Sequence, residues 1–162
     1  MQRSLGLTDL MSLDHKIPPP LVGSVCALAM WGLAGHTPAL SLACAVRVST
    51  ATLFLVVGLG VMLAAVISFR VAKTTVNPLK PDAATALVTS GIFRYTRNPM
   101  YLGMLMVLVA WSAFLASPAA LAGPLAFHAY ISRFQIRPEE TALSNVFGKK
   151  FLDYSCRVRR WL

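Results

Sequence analysis

Charge is scarce in this chain, and acid is scarcer still. Charged residues make up 13% of its 162 positions, with six acidic side chains against fifteen basic ones. A water-facing domain carries about 25% charged residues. A chain at half that level, with 56% hydrophobic residues and a mean hydropathy of +0.63, falls outside the ordinary soluble class. Cysteine is also sparse. Cys26, Cys44 and Cys156 form no CxxC or His-rich spacing, which argues against a structural metal site. The aromatics, 9% of residues, sit inside apolar runs and do not alternate with the basic side chains. A net charge of +9 therefore points to lipid headgroups and membrane topology, with no nucleic acid partner. No charged residue lies in the middle of an apolar run. His128 is the only histidine inside one, near its end, and it suits helix packing better than a proton or ion path. The first residues, with Arg3, Asp9, Asp14, His15 and Lys16, lack the pattern of a cleaved secretory leader.

Four apolar runs remain. They cover about Leu21–Gly35, Val46–Phe69, Met100–Ala116 and Ala119–Ile131. The first is short against the ~20 residues of a spanning helix unless Ile17 and Pro18–Pro20 are partly immersed. Pro99 suits a helix start, and Ser117-Pro118 makes a tight reversal that joins the third and fourth runs as a hairpin. Leu143, Val146, Phe147 and Phe151 recur at helical spacing, opposite Lys149, Lys150 and Asp153. That pattern predicts one amphipathic tail helix over 139–154, lying on the membrane or against the bundle. The expected fold is an all-α polytopic membrane bundle of about four transmembrane helices plus a C-terminal cytoplasmic amphipathic helix. It forms a single domain over 1–162, with N-terminal helices over 1–73 and a functional core over 74–162. Basic residues crowd the connector (Arg70, Lys73, Lys80, Arg94, Arg97) and the tail (Arg133, Arg137, Lys149, Lys150, Arg157, Arg159, Arg160). The positive-inside rule then puts both segments and both termini in the cytoplasm, in a multi-pass protein of the bacterial inner-membrane type.

Those two polar segments carry whatever chemistry the chain has. Arg97, Asn98, Pro99 and Tyr101 open the third run. The uncapped N–H groups of a helix start can receive a carboxylate or a ribose. Arg94 or Tyr101 alone would read as an interfacial anchor, but the group reads as a polar pocket. Glu139 and Glu140 are an acidic pair in a basic neighbourhood. They serve either as favourable charge at the start of the tail helix or as carboxylates for a cationic or polyhydroxyl ligand.

Taken together, Thr-Thr-Val-Asn-Pro (74–78), Leu-Val-Thr-Ser-Gly-Ile-Phe-Arg (87–94), Arg-Asn-Pro-Met-Tyr-Leu-Gly (97–103), Glu-Glu (139–140), Phe-Gly (147–148) and Val-Arg-Arg-Trp (158–161) resemble the isoprenylcysteine carboxyl methyltransferase family. That family lies within the wider group that includes membrane phospholipid N-methyltransferases. The resemblance runs from about Thr74 to the end and lies in the order of the pieces, each weak alone. It implies S-adenosyl-L-methionine as cofactor, leaving as S-adenosyl-L-homocysteine. It also implies that Thr85, Ala86, Leu87, Val88, Gly91 and Phe93 line the adenosine side. Asn98, Pro99, Met100 and Tyr101 would hold the rest, and Glu139 would reach the cofactor's polar groups. Arg97, Tyr101 and Glu140 are the residues expected to act at the transfer, and Arg133 and Arg137 those expected to hold the acceptor.

The sequence departs from the family in three places. Asn98 stands where eukaryotic members usually have His, and Phe93 where they have Tyr. Gln135 stands where prenylcysteine-modifying members place a carboxylate-binding arginine. The expected partners are the lipid bilayer and a lipophilic or small methyl acceptor. No residue reads as an evident base, which favours an acceptor already ionised or easily ionised. Two rivals remain. One is an NADPH-dependent membrane reductase of the sterol-reductase type, which shares an Arg-His-Pro-x-Tyr-x-Gly element. The other is a non-enzymatic membrane subunit in which Arg97 and the glutamates only staple helices together.

Overall fold

The computed structural model describes residues 17–72 and 86–162. All regular structure among them is helical: α1 (Pro19–Gly35), α2 (Cys44–Val71), α3 (Pro99–Leu115), α4 (Ala122–Ile131), α5 (Arg137–Phe147) and α6 (Lys149–Arg157). Short 3-10 turns at Gly91–Arg94 and Pro118–Leu121 precede α3 and α4, and a π-turn, Ser132–Ile136, joins α4 to α5. Each expected apolar run forms a helix. Proline opens α1 and α3, where the missing N–H costs nothing. α2 alone, at 28 residues, is long and apolar enough to cross a membrane by itself. α1 and α3 have 17 residues each and α4 has 10, so they are shorter than the ~20 residues of a full crossing.

The helices run alternately up and down, and α3 touches α1, α2 and α4. At one end Thr37 bonds the Ser117 hydroxyl at 2.7 Å, the Leu40 N–H donates to the Ala116 carbonyl at 2.7 Å, and Arg47 Nε donates to the Phe114 carbonyl at 3.1 Å. That last bond satisfies a helix-end carbonyl otherwise left without a partner. At the other end lie the start of α1, the end of α2, the start of α3 and the end of α4. Gln135 Nε2 donates to the Ile17 carbonyl there at 2.8 Å.

Close backbone approach and polar ties hold the helices together, the kind of contact that serves where lipid leaves no hydrophobic gain between helices. α2 and α3 meet at Gly58 and Gly103, where an added Cβ would lie 2.8 Å or 2.6 Å from the opposing carbonyl oxygen. Trp111 Nε1 ties α3 to the Ala27 carbonyl of α1 at 3.1 Å. Met30 fills the space left by Gly123 and joins Tyr101, Leu108, Ala120, Phe127, Ile131 and Ile136 in one apolar cluster. Leu53, Val56, Leu59 and Leu63 of α2 and Leu28 and Trp31 of α1 face outward, a surface that suits hydrocarbon.

The single tail helix expected over 139–154 is not formed. Gly148, at φ +53°, ends α5 and starts α6. Glycine takes that conformation without the penalty other residues meet, so the amphipathic period continues while the chain turns. Glu139 and Glu140 also do not open a free-standing helix. α5 continues from α4 through the π-turn, which lies just before Pro138. Proline has no N–H for the carbonyl four residues back and crowds it, and the widened turn relieves both problems.

Candidate functional site

The site grows from the start of α3. The 3-10 turn Gly91–Arg94 lies against the end of α2. Gly91, at φ +61°, comes so close to Ser68 that an added Cβ would sit 2.7 Å from its hydroxyl. Phe93 turns inward and meets Phe69 edge-on, with ring centroids 5.1 Å apart, in a cluster with Ala65, Val88 and Met100. The turn is fastened from outside by the Tyr154 hydroxyl of α6, which donates to the Phe93 carbonyl at 2.7 Å. Burial pushes that phenol up to about 12, against the opposing influence of Arg97.

Four residues expected at the site meet across the gap between α3 and α5. The Tyr101 hydroxyl donates to Glu139 Oε1, and Arg97 pairs with Glu140 Oε1 at 3.0 Å. These contacts join segments about forty residues apart in sequence. The two carboxylates live in different surroundings. Successive residues on a helix diverge by about 100°, so Glu140 faces the guanidinium groups while Glu139 faces the top of the apolar cluster to which Tyr101 belongs. Burial pushes the Glu139 carboxyl up to about 8. The Tyr101 hydrogen bond opposes that shift and the Glu140 charge adds to it.

The C-terminal segment, to which the sequence assigns no specific role, closes the site. Arg160 donates to Glu140 through Nε at 3.0 Å and Nη2 at 2.5 Å, a two-point grip. Its backbone carbonyl accepts from Asn98 Nδ2 at 2.9 Å and from the Thr96 hydroxyl at 3.5 Å. The Arg159 carbonyl accepts the Arg97 N–H at 3.0 Å. Trp161 donates to the Ser132 hydroxyl at 3.1 Å and lies against the His128 ring, centroids 4.6 Å apart. Asn98 therefore tethers the strap and makes no side-chain cap of α3. A partly buried acidic pair in a basic chain calls for cations, and the Arg159-Arg160-Trp161 run is where that signal lay.

Other expected residues have less central places. Ala86 and Leu87 are half-buried in the extended segment before the turn, Gly91 is exposed, and Val88, Phe93 and Pro99 are buried. Met100 packs against the Val88–Phe93 cluster. Arg137 is exposed at the start of α5, and Arg133 is exposed with its guanidinium 5.3 Å from the Phe134 ring centre. Gln135, fully buried, ties the π-turn to α1. Thr85 lies outside the described residues, as does Asn77-Pro78.

An S-adenosyl compound asks for donors to its carboxylate and acceptors for its amine and ribose. Arg97 Nε, a buried donor without a partner among the described residues, fits the first requirement, and Glu139 fits the second.

Comparison with known proteins points the same way. The model of the phospholipid methyltransferase family matches residues 46–150. An uncharacterised protein of Haemophilus influenzae is 43% identical over 63 residues, which is 39% of this chain and all of that protein. A protein-S-isoprenylcysteine O-methyltransferase of Xenopus laevis is 35% identical over 80 residues, 49% of this chain and 27% of that one. Its namesake in Dictyostelium discoideum is 36% identical over 73 residues, 44% of this chain and 30% of that one. The chain thus matches under a third of the length of either methyltransferase relative. No solved structure matches. With a family model spanning most of its length and two named relatives of the same type, the chain belongs to the phospholipid methyltransferase family, as an isoprenylcysteine-methyltransferase-like member.

Proposed function

We propose that this protein transfers a methyl group from S-adenosyl-L-methionine to a membrane-borne acceptor at the cytoplasmic face of a bilayer that its four apolar helices cross. One observation carries the proposal: Arg97–Tyr101 and Glu139–Glu140, remote in sequence, meet at the bundle end where the start of α3 and the end of α4 come together. The cofactor supplies an activated methyl on a sulfonium. The protein's part is to hold both reactants in line, and such positioning accounts for much of a displacement's acceleration. Arg97 Nε offers a donor for the cofactor's carboxylate, and Glu139 an acceptor for its amine or ribose. The turn at Gly91–Arg94 and Met100 form the wall beside α2. The apolar cluster beneath Tyr101 offers the acceptor's chain a greasy approach. Basic residues at this end of the bundle, Arg70, Arg94, Arg133, Arg137 and Arg159 among them, support its cytoplasmic placement.

Isothermal titration of the purified chain tests the proposal. Binding of S-adenosyl-L-methionine or S-adenosyl-L-homocysteine is expected. Binding of NADPH in their place would make the protein a reductase, and binding of none of the three would leave a non-enzymatic subunit.

A further inference from the structure

An arginine side chain has many rotamers, and it keeps one place only when both its ends are held. Arg97 is held at both. Its root is fixed by its own N–H, which donates to the Arg159 carbonyl at 3.0 Å, and by the next residue, Asn98, whose Nδ2 donates to the Arg160 carbonyl at 2.9 Å. Its tip, Nη2, lies 3.0 Å from Glu140 Oε1. Glu140 is itself not free to turn. Arg160 takes both of its oxygens, Oε1 through Nε at 3.0 Å and Oε2 through Nη2 at 2.5 Å. Residues 159 and 160 thus reach Arg97 by two routes, through main-chain carbonyls at its root and through a carboxylate at its tip. Between the two anchors lies Arg97 Nε, a buried donor without a partner among the described residues. A charged group's donor kept dry is costly until an acceptor arrives for it.

We propose that Arg160 is a positioning residue: by clamping Glu140, and with it the Arg97 guanidinium, it presents Arg97 Nε to the carboxylate of an S-adenosyl ligand. The assignment rests on the methyl-transfer function proposed above. It deepens that function by giving the C-terminal strap a part in recognising the cofactor. Arg160 acts through its neighbours: its guanidinium is engaged with Glu140, and its side chain is 37% exposed against 14% for Arg97.

The physical reason is preorganisation. A guanidinium already oriented loses little further freedom when it forms a charge-assisted hydrogen bond to a carboxylate. Without Arg160, the Glu140 carboxylate can swing, and the tip of Arg97 swings with it. The ligand would then have to order the arginine itself, and affinity would fall. A ligand that has no carboxylate would not register the loss. That difference separates positioning from a general weakening of the fold.

The test uses the full chain in micelles and two probes: S-adenosyl-L-homocysteine, and S-adenosyl-3-thiopropylamine, which is the same compound without its carboxylate. Isothermal titration of the wild type should show S-adenosyl-L-homocysteine bound about 10- to 100-fold more tightly than the amine. Arg97→Met should abolish that preference. Arg160→Met, which keeps the strap's backbone carbonyls, should bind S-adenosyl-L-homocysteine about tenfold more weakly and the amine as wild type does. Should Arg160→Met fail to fold, Arg160→Lys keeps the charge without the two-point grip and should show the same selective loss to a smaller degree. A second readout needs no ligand. In nitrogen-15 spectra the Arg97 Nε–H signal, identified by its loss in Arg97→Met, should be sharp and slow to exchange in the wild type. It should broaden in Arg160→Met.

Equal weakening of both probes in Arg160→Met would overturn the assignment, because the strap would then only hold the fold. Unchanged binding of both, or a wild type with no preference for the carboxylate, would overturn it too. If the wild type binds neither probe, the failure lies in the methyl-transfer proposal, and the Arg97 Nε–H signal still decides the positioning role: an unaltered signal in Arg160→Met defeats it.

Discussion

Removing the cations of Glu140 one at a time separates a structural keystone from a surface ornament. The Arg97 and Glu140 side chains are 14% and 18% exposed and meet at 3.0 Å, whereas Arg160 is 37% exposed. Unit charges about 4 Å apart attract by about 4 kcal/mol at an effective dielectric near 20. Desolvation and side-chain ordering return roughly half of that, which leaves about 2 kcal/mol for the Arg97 pair. The Arg160 pair has the better two-point geometry, but water screens it, and about 1 kcal/mol is its share. Glu140→Gln strands both arginines and should cost about 3 kcal/mol. Arg160→Met spares the backbone carbonyl that holds Asn98 and Thr96, so it reads the side chain alone. The assay is reversible unfolding by sodium dodecyl sulfate in mixed micelles, run as double-mutant cycles of Arg97→Met and Arg160→Met against Glu140→Gln. Coupling to Arg97 should exceed coupling to Arg160. An order reversed, or a Glu140→Gln variant within about 0.5 kcal/mol of wild type, would refute the reasoning that burial ranks these pairs.

Gly103→Val should destabilise the protein by about 1–3 kcal/mol in the same unfolding assay, because its side chain has no room against Gly58 and Met62; Gly60→Ala, in open space, should be neutral. Tyr154→Phe removes the hydroxyl that holds the Phe93 carbonyl and should cost about 1–2 kcal/mol, with faster amide exchange at Phe93–Thr96 as the local readout. Glu139 has a folded-state value raised from 4.5 to about 8, so the folded state binds its proton more tightly. Its contribution is therefore complete below about 4.5 and is lost as pH rises towards about 8. Micellar stability should decline across that window, and the decline should flatten in Glu139→Gln.

Much of the scaffold was legible because its signals are local. Apolar runs, Pro99 and the Ser117-Pro118 reversal each declare themselves within a few residues. The break at Gly148 was not, because the hydrophobic period carries across it and only the backbone conformation departs. The meeting of Arg97 with Glu140 was approached through resemblance, but the strap was missed for a physical reason. Arg159 and Arg160 read as ordinary basic residues of a tail, while much of their work is done by backbone carbonyls, which sequence pattern does not distinguish. The unlike fates of Glu139 and Glu140 were hidden too. Adjacent identical residues differ only in the direction a helix points them.

The bare crossing of Gly58 and Gly103 makes α2 and α3 a stiff mast. With main chain against main chain, neither helix can slide or tilt past the other without collision. On the opposite flank, α1 meets α4 through the thioether of Met30 lying in the notch of Gly123, a joint made of a pliable side chain. Under the proposed function, an acceptor's chain would enter by that softer seam, and stiffening it would slow admission of the acceptor while leaving the cofactor's own entry untouched.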